Sequence, residues 1–417
     1  MIFVYLLQRD QNKVKNLSYK DAFLSKCLVL ILLGFLLLYS ACSLYQLKTP
    51  PIPEITSHYA MDAFGRDTSY QEIEHLYTKK SLDNVDFPLI TDSLIIALKN
   101  HQTLLKIRKQ DEVQTFDNLE LSLSEMKKTI DILLQLREDP SRLEELEAYL
   151  ISGEKKSGNV KFTGYYTPWI QVSKRKTDQF KYPIYSKPDD FIGKIPTRKA
   201  IDFENILKNR GLELAYAKSR LDIYFMQLQG SGYVQYRDGS KQMFGYGGSN
   251  GHPYRSIGRY LKNNNYRINS ISEKGLRIFF TKNPELISTI LPVNNSYTFF
   301  KPRNTPPKGA GHVPLIEGIS CAVDRRYLPL GATALASIPK YDEKNNLIGH
   351  ELRILLAQDV GGAIKGAGHI DLYMGDSEQA VDLASKYYHY GKIWLLTPVK
   401  SEDIEPVNVS LTKDINI

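Results

Sequence analysis

Cysteine is scarce: the 417 residues hold three, Cys27, Cys42 and Cys321. Cys27 falls within an N-terminal leader and Cys42 directly after it. With Cys42 expected to be lipidated, only Cys321 would remain as a free thiol in the mature protein, and no internal disulfide can form there. Set in an apolar run, Cys321 reads as a buried structural thiol rather than a nucleophile. Paired metal-ligand spacing is missing too. The eight histidines (58, 75, 101, 252, 312, 350, 369 and 389) are scattered, which argues against a zinc site. Nucleophile elbows, paired-thiol motifs, dinucleotide fingerprints and internal repeats are also lacking. Charge of one sign is not concentrated: Lys and Arg number 54 against 46 Asp and Glu, a net +8. Part of that excess, Arg9, Lys13, Lys15, Lys20 and Lys26, sits at the N-terminus. A nucleic-acid partner would want a basic stripe; a solvated surface, or a polyanionic or mixed-charge substrate, fits better.

What is present is an ordinary globular composition, 42% hydrophobic and 24% charged, long enough for two domains. Residues Leu28 to Ala41 are nearly all apolar, follow a basic stretch and are too short for a comfortable membrane span. They read as a signal-peptide core. Ser40 and Ala41 before Cys42 resemble a bacterial lipoprotein processing site, with Tyr39 where Leu is usual. The alternative is an uncleaved N-terminal anchor. Either way the body of the protein is expected to be exported.

Beyond a Pro-bearing tether at Thr49–Pro53 and a polar stretch to about Asp86, helical spacing appears after Asp92 and again from Leu123. Ser122 and Glu125 are placed as a capping box. A third helix is expected from Ser141 to Gly153, with Leu143, Leu146 and Leu150 as its apolar face. From Val160 the texture becomes aromatic-rich and Gly-punctuated, which predicts short strands, Leu212–Tyr216 and Leu221–Gln229 among them. Helical character is expected at Ser256–Leu261 and Pro284–Leu291. The last third predicts strands at Val313–Val323, Ala332–Ile338 and Glu351–Gln358, a helix from Ser377 to about Tyr390 stopped by Gly391, and a strand Lys392–Leu396.

The strongest chemical signal is Asp359-Val-Gly-Gly-Ala-Ile-Lys-Gly366 followed by His369-Ile-Asp371-Leu-Tyr373-Met-Gly375. Two glycines after an apolar strand allow a close backbone approach, and a second short strand would bring Asp371 back beside Asp359. Such proximity raises a carboxylic acid's pKa, as general acid catalysis near neutral pH requires. A capped structural turn is the other reading of the same residues. A second signal is Gln229-Gly-Ser-Gly232-Tyr233 with Gly245-Tyr-Gly-Gly-Ser-Asn-Gly251. Amides and hydroxyls beside Tyr faces suit a sugar polymer, although the run also reads as turn punctuation.

Together with Phe162-Thr-Gly-Tyr-Tyr-Thr-Pro168, Asn250-Gly-His-Pro-Tyr-Arg-Ser-Ile-Gly258 and Asn295-Ser-Tyr-Thr-Phe-Phe300, these runs closely resemble the membrane-bound lytic murein transglycosylase A family. The resemblance spans about Val160 to Leu396, with the motifs in the family's order. It departs at Ala367-Gly368, where the segment between the two acids is one residue longer.

The resemblance implies an α+β fold, mainly β with N-terminal helices: a double-psi β-barrel domain plus a small inserted β domain, with a groove between them. The expected organisation is a signal peptide over 1–41, a lipid-anchored tether over 42–86, the first part of the barrel domain over 87–163, the insert over 164–300 and the rest of the barrel over 301–417. It implies cleavage of the bond between MurNAc and GlcNAc in peptidoglycan, leaving 1,6-anhydro-MurNAc ends. Asp371 would act as acid then base, with Asp359 shaping its environment and no cofactor or metal. Gly361, Gly362, Lys365 and Tyr373 are the candidate substrate contacts, with Gln229, Ser231, Gly232 and Tyr165 on the opposite wall. Cys42 would carry the lipid, placing the enzyme at the periplasmic face of the outer membrane among other wall-remodelling proteins. Two further readings are open: an inverting glycan hydrolase on the same barrel, with Asp359 as a base roughly 6.5–9.5 Å from Asp371, and a non-catalytic wall-binding lipoprotein.

Overall fold

The computed structural model describes residues 62, 64–68, 72–83, 85–107, 114–189, 195–342 and 346–400. The leader and Cys42 lie outside them. The first two helices among the described residues are α1 (Asp92–Ile107) and α2 (Leu123–Gln135). The expected capping box starts α2: the Ser122 hydroxyl accepts from the Glu125 N–H, and the Glu125 carboxylate accepts from the Ser122 N–H. Their apolar faces pack on a large sheet, with Leu94, Ala97, Leu98, Ile130 and Leu133 buried in its core.

That sheet has eight strands, in the order β1 (Tyr77–Lys80), β4 (Leu146–Ile151), β16 (Tyr388–Pro398), β13 (Thr333–Tyr341), β14 (Leu347–Asp359), β12 (Ser320–Ala322), β15 (His369–Tyr373) and β5 (Val160–Tyr165). β16 pairs with β5 through Tyr388–Gly391 and with β13 through Lys392–Leu395. Six strands, from β16 through β13, β14, β12 and β15 to β5, thereby close into a ring, the expected barrel. Its ladders are mixed, with β12 parallel to β14 and β15 parallel to β5. Between β2 (Gln114–Phe116) and β3 (Leu119–Leu121) there is only a small hairpin.

A six-stranded sheet holds β6 (Trp169–Ser173), β7 (Tyr182–Tyr185), β8 (Glu213–Ala217), β9 (Gly232–Tyr236), β10 (Lys241–Ser249) and β11 (Thr298–Arg303), all falling in sequence between β5 and β12. Helices α3 (Arg198–Asp202), α4 (Arg220–Gln229), α5 (Ile257–Asn263) and α6 (Glu273–Lys282) accompany it. The buried guanidinium of Arg198 ties these parts together, donating to the carbonyls of Asn294 and Ser296 and to Gln227 Oε1.

Four expected helices and strands are corrected, and part of the expected tether with them. Ser141–Gly153 is not a helix: a 3-10 turn, Pro140–Glu145, capped by Asp139, gives way to β4. Leu146 and Leu150 share a face in a strand as well as in a helix, and pairing with β1 and β16 on both edges decides for the strand. The same pairing draws Tyr77–Lys80, inside the expected tether, into the barrel sheet. Conversely, the Leu221–Gln229 segment is helix α4, because the Ser219 hydroxyl caps its start and Gly230, at φ +81°, ends it. In the 313–323 segment only Ser320–Ala322 is a strand, since the Ser320 hydroxyl accepts from the Ile316 N–H and holds the preceding residues in a turn.

The fourth correction concerns Gly391. The helix there, α7 (Ala380–Lys386), ends before it, and β16 runs straight through it. Here β16 passes from β5 to β13 so tightly that a Cβ on Gly391 would meet the Ser337 carbonyl at 2.0 Å and the Phe162 ring at 3.0 Å. Backbone cannot yield as a flexible side chain can. Gly391→Ala is therefore expected to lose about 1–3 kcal/mol of stability, measured as a fall in the denaturant midpoint.

Candidate active site

On β5 and β15 alternate residues point to opposite faces. Phe162, Ile370 and Leu372 go into the core, and Lys161, Thr163, Tyr165, His369, Asp371 and Tyr373 go the other way. Parallel register sets them in rows: His369 beside Lys161, Asp371 beside Thr163, Tyr373 beside Tyr165. On its other side Asp371 is the register partner of Ala322, and Ala322 is also the partner of Asp359. The two acids thus flank one small residue, their Cα atoms two strand spacings, roughly 10 Å, apart. A bulge makes this possible. Cys321 pairs with Ala357 and Ala322 with Asp359, leaving Gln358 as the extra residue that re-aims Asp359 onto this face.

Gln358 is buried, with both ends of its side-chain amide hydrogen-bonded. Its amide donates to His101 Nδ1 at 3.2 Å, and its carbonyl accepts from the Ser320 hydroxyl at 2.6 Å. His101 in turn donates from Nε2 to the Gly331 carbonyl at 2.9 Å. Helix α1 thereby braces the strands carrying Asp359 and Ala322.

The two carboxyl groups have different surroundings. Asp359 accepts on Oδ1 from the N–H groups of Ala310 and Val360, both at 2.8 Å, and on Oδ2 from the Tyr165 hydroxyl at 3.0 Å. Burial nevertheless raises its pKa, these hydrogen bonds opposing the rise. Among the described residues Asp371 has one hydrogen-bond partner, the Thr163 hydroxyl, which donates to Oδ1 at 2.6 Å. Desolvation raises its pKa to about 7, the Thr163 hydrogen bond opposing and the nearby Asp359 adding to the rise. Relative to an ordinary carboxylic acid this disfavours the charged form by roughly 4 kcal/mol. The desolvating wall is a small apolar cluster of Tyr165, Ala322, Ile364 and Tyr373 with Leu315. Asp371 itself remains partly open to solvent.

Around this pair the other expected residues separate. Tyr373 is buried, its hydroxyl 2.9 Å from that of Thr167 and its ring 5.3 Å from that of Tyr165. Tyr165, expected on the opposite wall, instead stands on the acids' own face, bonded to Asp359. Gly361, Gly362 and Lys365 form the loop after β14. Gly361 lies over the buried Ile364, while Gly362 and Lys365 are exposed. The Gly366 N–H donates to Asp324 at 2.9 Å and fixes the far end of that loop.

Gln229, Ser231 and Gly232 lie at the α4–β9 junction in the second sheet. Gln229 Oε1 accepts from the Tyr166 N–H at 3.2 Å, where the chain leaves β5 for β6. Gly232 packs so closely on Met226 that a Cβ would meet it at 2.6 Å. Beside them the half-exposed Trp169 stacks on Tyr233 at 4.4 Å and donates its indole N–H to the Asp376 carbonyl, joining the insert to the strand end just past Tyr373.

Sequence reasoning missed Thr163 and His369. The alternation Lys161, Thr163, Tyr165 was visible, but not which strand lies beside it. Among the described residues no three His, Cys, Asp or Glu side chains gather in a way that could hold a metal ion.

Comparison with known proteins gives two domain matches, the MltA specific insert domain over residues 161–301 and the 3D domain over 319–397. Membrane-bound lytic murein transglycosylase A of Escherichia coli strain K12 is 41% identical over 256 residues, covering 60% of this chain and 69% of that protein. The homolog from Buchnera aphidicola is 39% identical over 259 residues, 60% of this chain and 70% of its own. Among solved structures, E. coli MltA with bound chitohexaose superposes with a TM-score of 0.70 at 30% identity, covering 82% of this chain and 100% of that one. The membrane-bound lytic murein transglycosylase of Agrobacterium tumefaciens gives 0.64 at 25% identity, covering 77% and 97%. The chain belongs to the membrane-bound lytic murein transglycosylase A family.

Proposed function

We propose that this chain is a lytic transglycosylase that cleaves the β-1,4 bond between MurNAc and GlcNAc in peptidoglycan with Asp371 as its single catalytic acid. The observation that carries the assignment is the asymmetry of the two carboxyl groups. The Asp371 pKa is raised to about 7, so a large share of it carries a proton at neutral pH, and it accepts only the Thr163 hydrogen bond, whereas both oxygens of Asp359 are engaged by three donors.

In the first step Asp371 gives its proton to the departing GlcNAc oxygen as the C1–O4 bond breaks. The resulting carboxylate takes the proton from the C6 hydroxyl of the same MurNAc as O6 bonds to C1, closing the 1,6-anhydro ring. The proton returns to Asp371, water is not consumed, and one carboxyl group serves both steps. An inverting hydrolase would need Asp359 to accept a proton from water. The three donors already bonded to its carboxyl group oppose that role.

Gly361, Gly362 and Lys365 would meet the glycan on the acid's side, with Gln229, Ser231 and Gly232 across from them. Tyr165 and Tyr373 form the floor under the acids. The exposed Trp169–Tyr233 pair suits the apolar faces of pyranose rings. The E. coli relative's crystal structure with chitohexaose supports a glycan occupant. Relatives named as membrane-bound fit an envelope enzyme, and acylation at Cys42 would hold it on the periplasmic face of the outer membrane.

Asp371→Asn is expected to cut the rate on isolated sacculi by about 10²–10⁴-fold, with an unchanged unfolding midpoint; retention of more than a tenth of the activity would contradict the assignment. Because the protonated form acts first, wild-type kcat/KM should decline as pH rises through about 7. Removing the Asp359 charge lowers the pKa of Asp371, so Asp359→Asn should move that decline to lower pH while the product, read by mass spectrometry, stays an anhydro sugar. Azide rescue of this variant with formation of a glycosyl azide would instead mark Asp359 as a base for water. Lipidation is checked separately: a fatty-acid analogue should label the wild type and not Cys42→Ser.

A further inference from the structure

The geometry points to His369 as a positioning residue that acts on Asp371 through the Thr163 hydroxyl. This inference rests on Asp371 being the acid. Thr163 Oγ1 lies 2.6 Å from Asp371 Oδ1 and 2.9 Å from His369 Nε2. A hydroxyl has one proton to give. Since Asp371 Oδ1 has none when the acid's proton is on Oδ2, the Thr163 proton points at Oδ1, and His369 must donate from Nε2 into the Thr163 oxygen. The alternative tautomer, bare at Nε2, would draw the Thr163 proton toward itself and leave Oδ1 without its donor. One imidazole tautomer thus decides which carboxyl oxygen is anchored and leaves Oδ2 free to carry the exchangeable proton toward the glycan.

The surroundings keep the ring neutral. His369 is half-buried, and Lys161 of β5 is its register partner. Burial first, then Lys161, lowers its pKa to about 4. Tyr390 of β16 stands beside Lys161 and Tyr388 beside Thr163, with the Lys161 ammonium over the Tyr388 ring. Glu154, on the turn that packs against Gly368, is the nearby acid from a further element. Lys161 also faces Asp371 and opposes its high pKa. Neither Thr163 nor His369 touches the reacting atoms in this arrangement, so both act by orientation.

A double-mutant cycle on isolated sacculi tests this, with pH profiles of kcat/KM for Thr163→Val, His369→Leu and the pair, and with Thr163→Ser and His369→Gln as conservative variants. Thr163→Val should lower the rate roughly tenfold, the size of one lost charge-assisted hydrogen bond. It should also move the high-pH decline upward, because the hydrogen bond that opposed the rise in the Asp371 pKa is gone. His369→Leu should move the decline the same way by less. The double variant should be no slower than Thr163→Val alone, and Thr163→Ser and His369→Gln should restore most of the rate and the wild-type decline. The position of the decline does not depend on how much of a variant folds. Additive losses in the double variant, or a decline that stays in place, would overturn the relay. Activity surviving in Asp371→Asn, measured alongside, would instead overturn the assignment of the acid itself.

Discussion

The lateral register of four strands, β14, β12, β15 and β5, is the constraint on which the site depends. It sets Asp359, Ala322, Asp371 and Thr163 in one row on a face turned away from the core. Because side chains alternate, a slip of one residue in β15 would send Asp371 into the interior and Ile370 out of it. The packing of Ile370, Leu372 and Phe162 resists that slip. On the β14 side the Gln358 bulge is needed, and it is held by hydrogen bonds to His101 and Ser320 rather than by apolar packing. A helix near the start of the described chain therefore helps to aim an acid far along it.

From this register follows the difference in surroundings between the two carboxyl groups, on which the proposed division of labour rests. Desolvation by Tyr165, Ala322, Ile364 and Tyr373 acts on both acids. Asp359 answers it with three hydrogen bonds, while Asp371 has one, which in the proposed mechanism leaves an oxygen for chemistry. Tyr165 links them: burial and both carboxyl groups push its phenol well above its ordinary pKa, so it remains a donor to Asp359. A site with one mobile proton and one immobilised neighbour suits a reaction in which the substrate supplies its own nucleophile.

Much of this was legible in the chain. The Asp359 and Asp371 runs, with their glycines and alternation, marked the acids, and Ser122 with Glu125 marked a helix start that the backbone uses. Thr163 was not legible as a partner, because it lies 208 residues from Asp371 and meets it only through a parallel pairing that local pattern does not encode. Tyr165 was misplaced for the same reason, since a strand that leads from one sheet into the other could have offered its ring to either. The segment errors have local causes. Leu146 and Leu150 fit two periodicities, and Leu221–Gln229 is apolar on nearly every side because α4 is buried, so neither run declares its type until neighbours supply hydrogen bonds or caps. Gly391 read as a stop because glycine usually is one, whereas here its missing side chain lets β16 pass closely from β5 to β13.

Whether the C6 hydroxyl of the substrate takes the place of water is tested most directly by digesting sacculi in heavy-oxygen water and weighing the new glycan ends. A single acid serving both steps predicts 1,6-anhydro ends carrying no solvent oxygen. Incorporation of one solvent oxygen at each cleaved bond, from the first turnovers onward, would contradict it and return Asp359 to the role of a base.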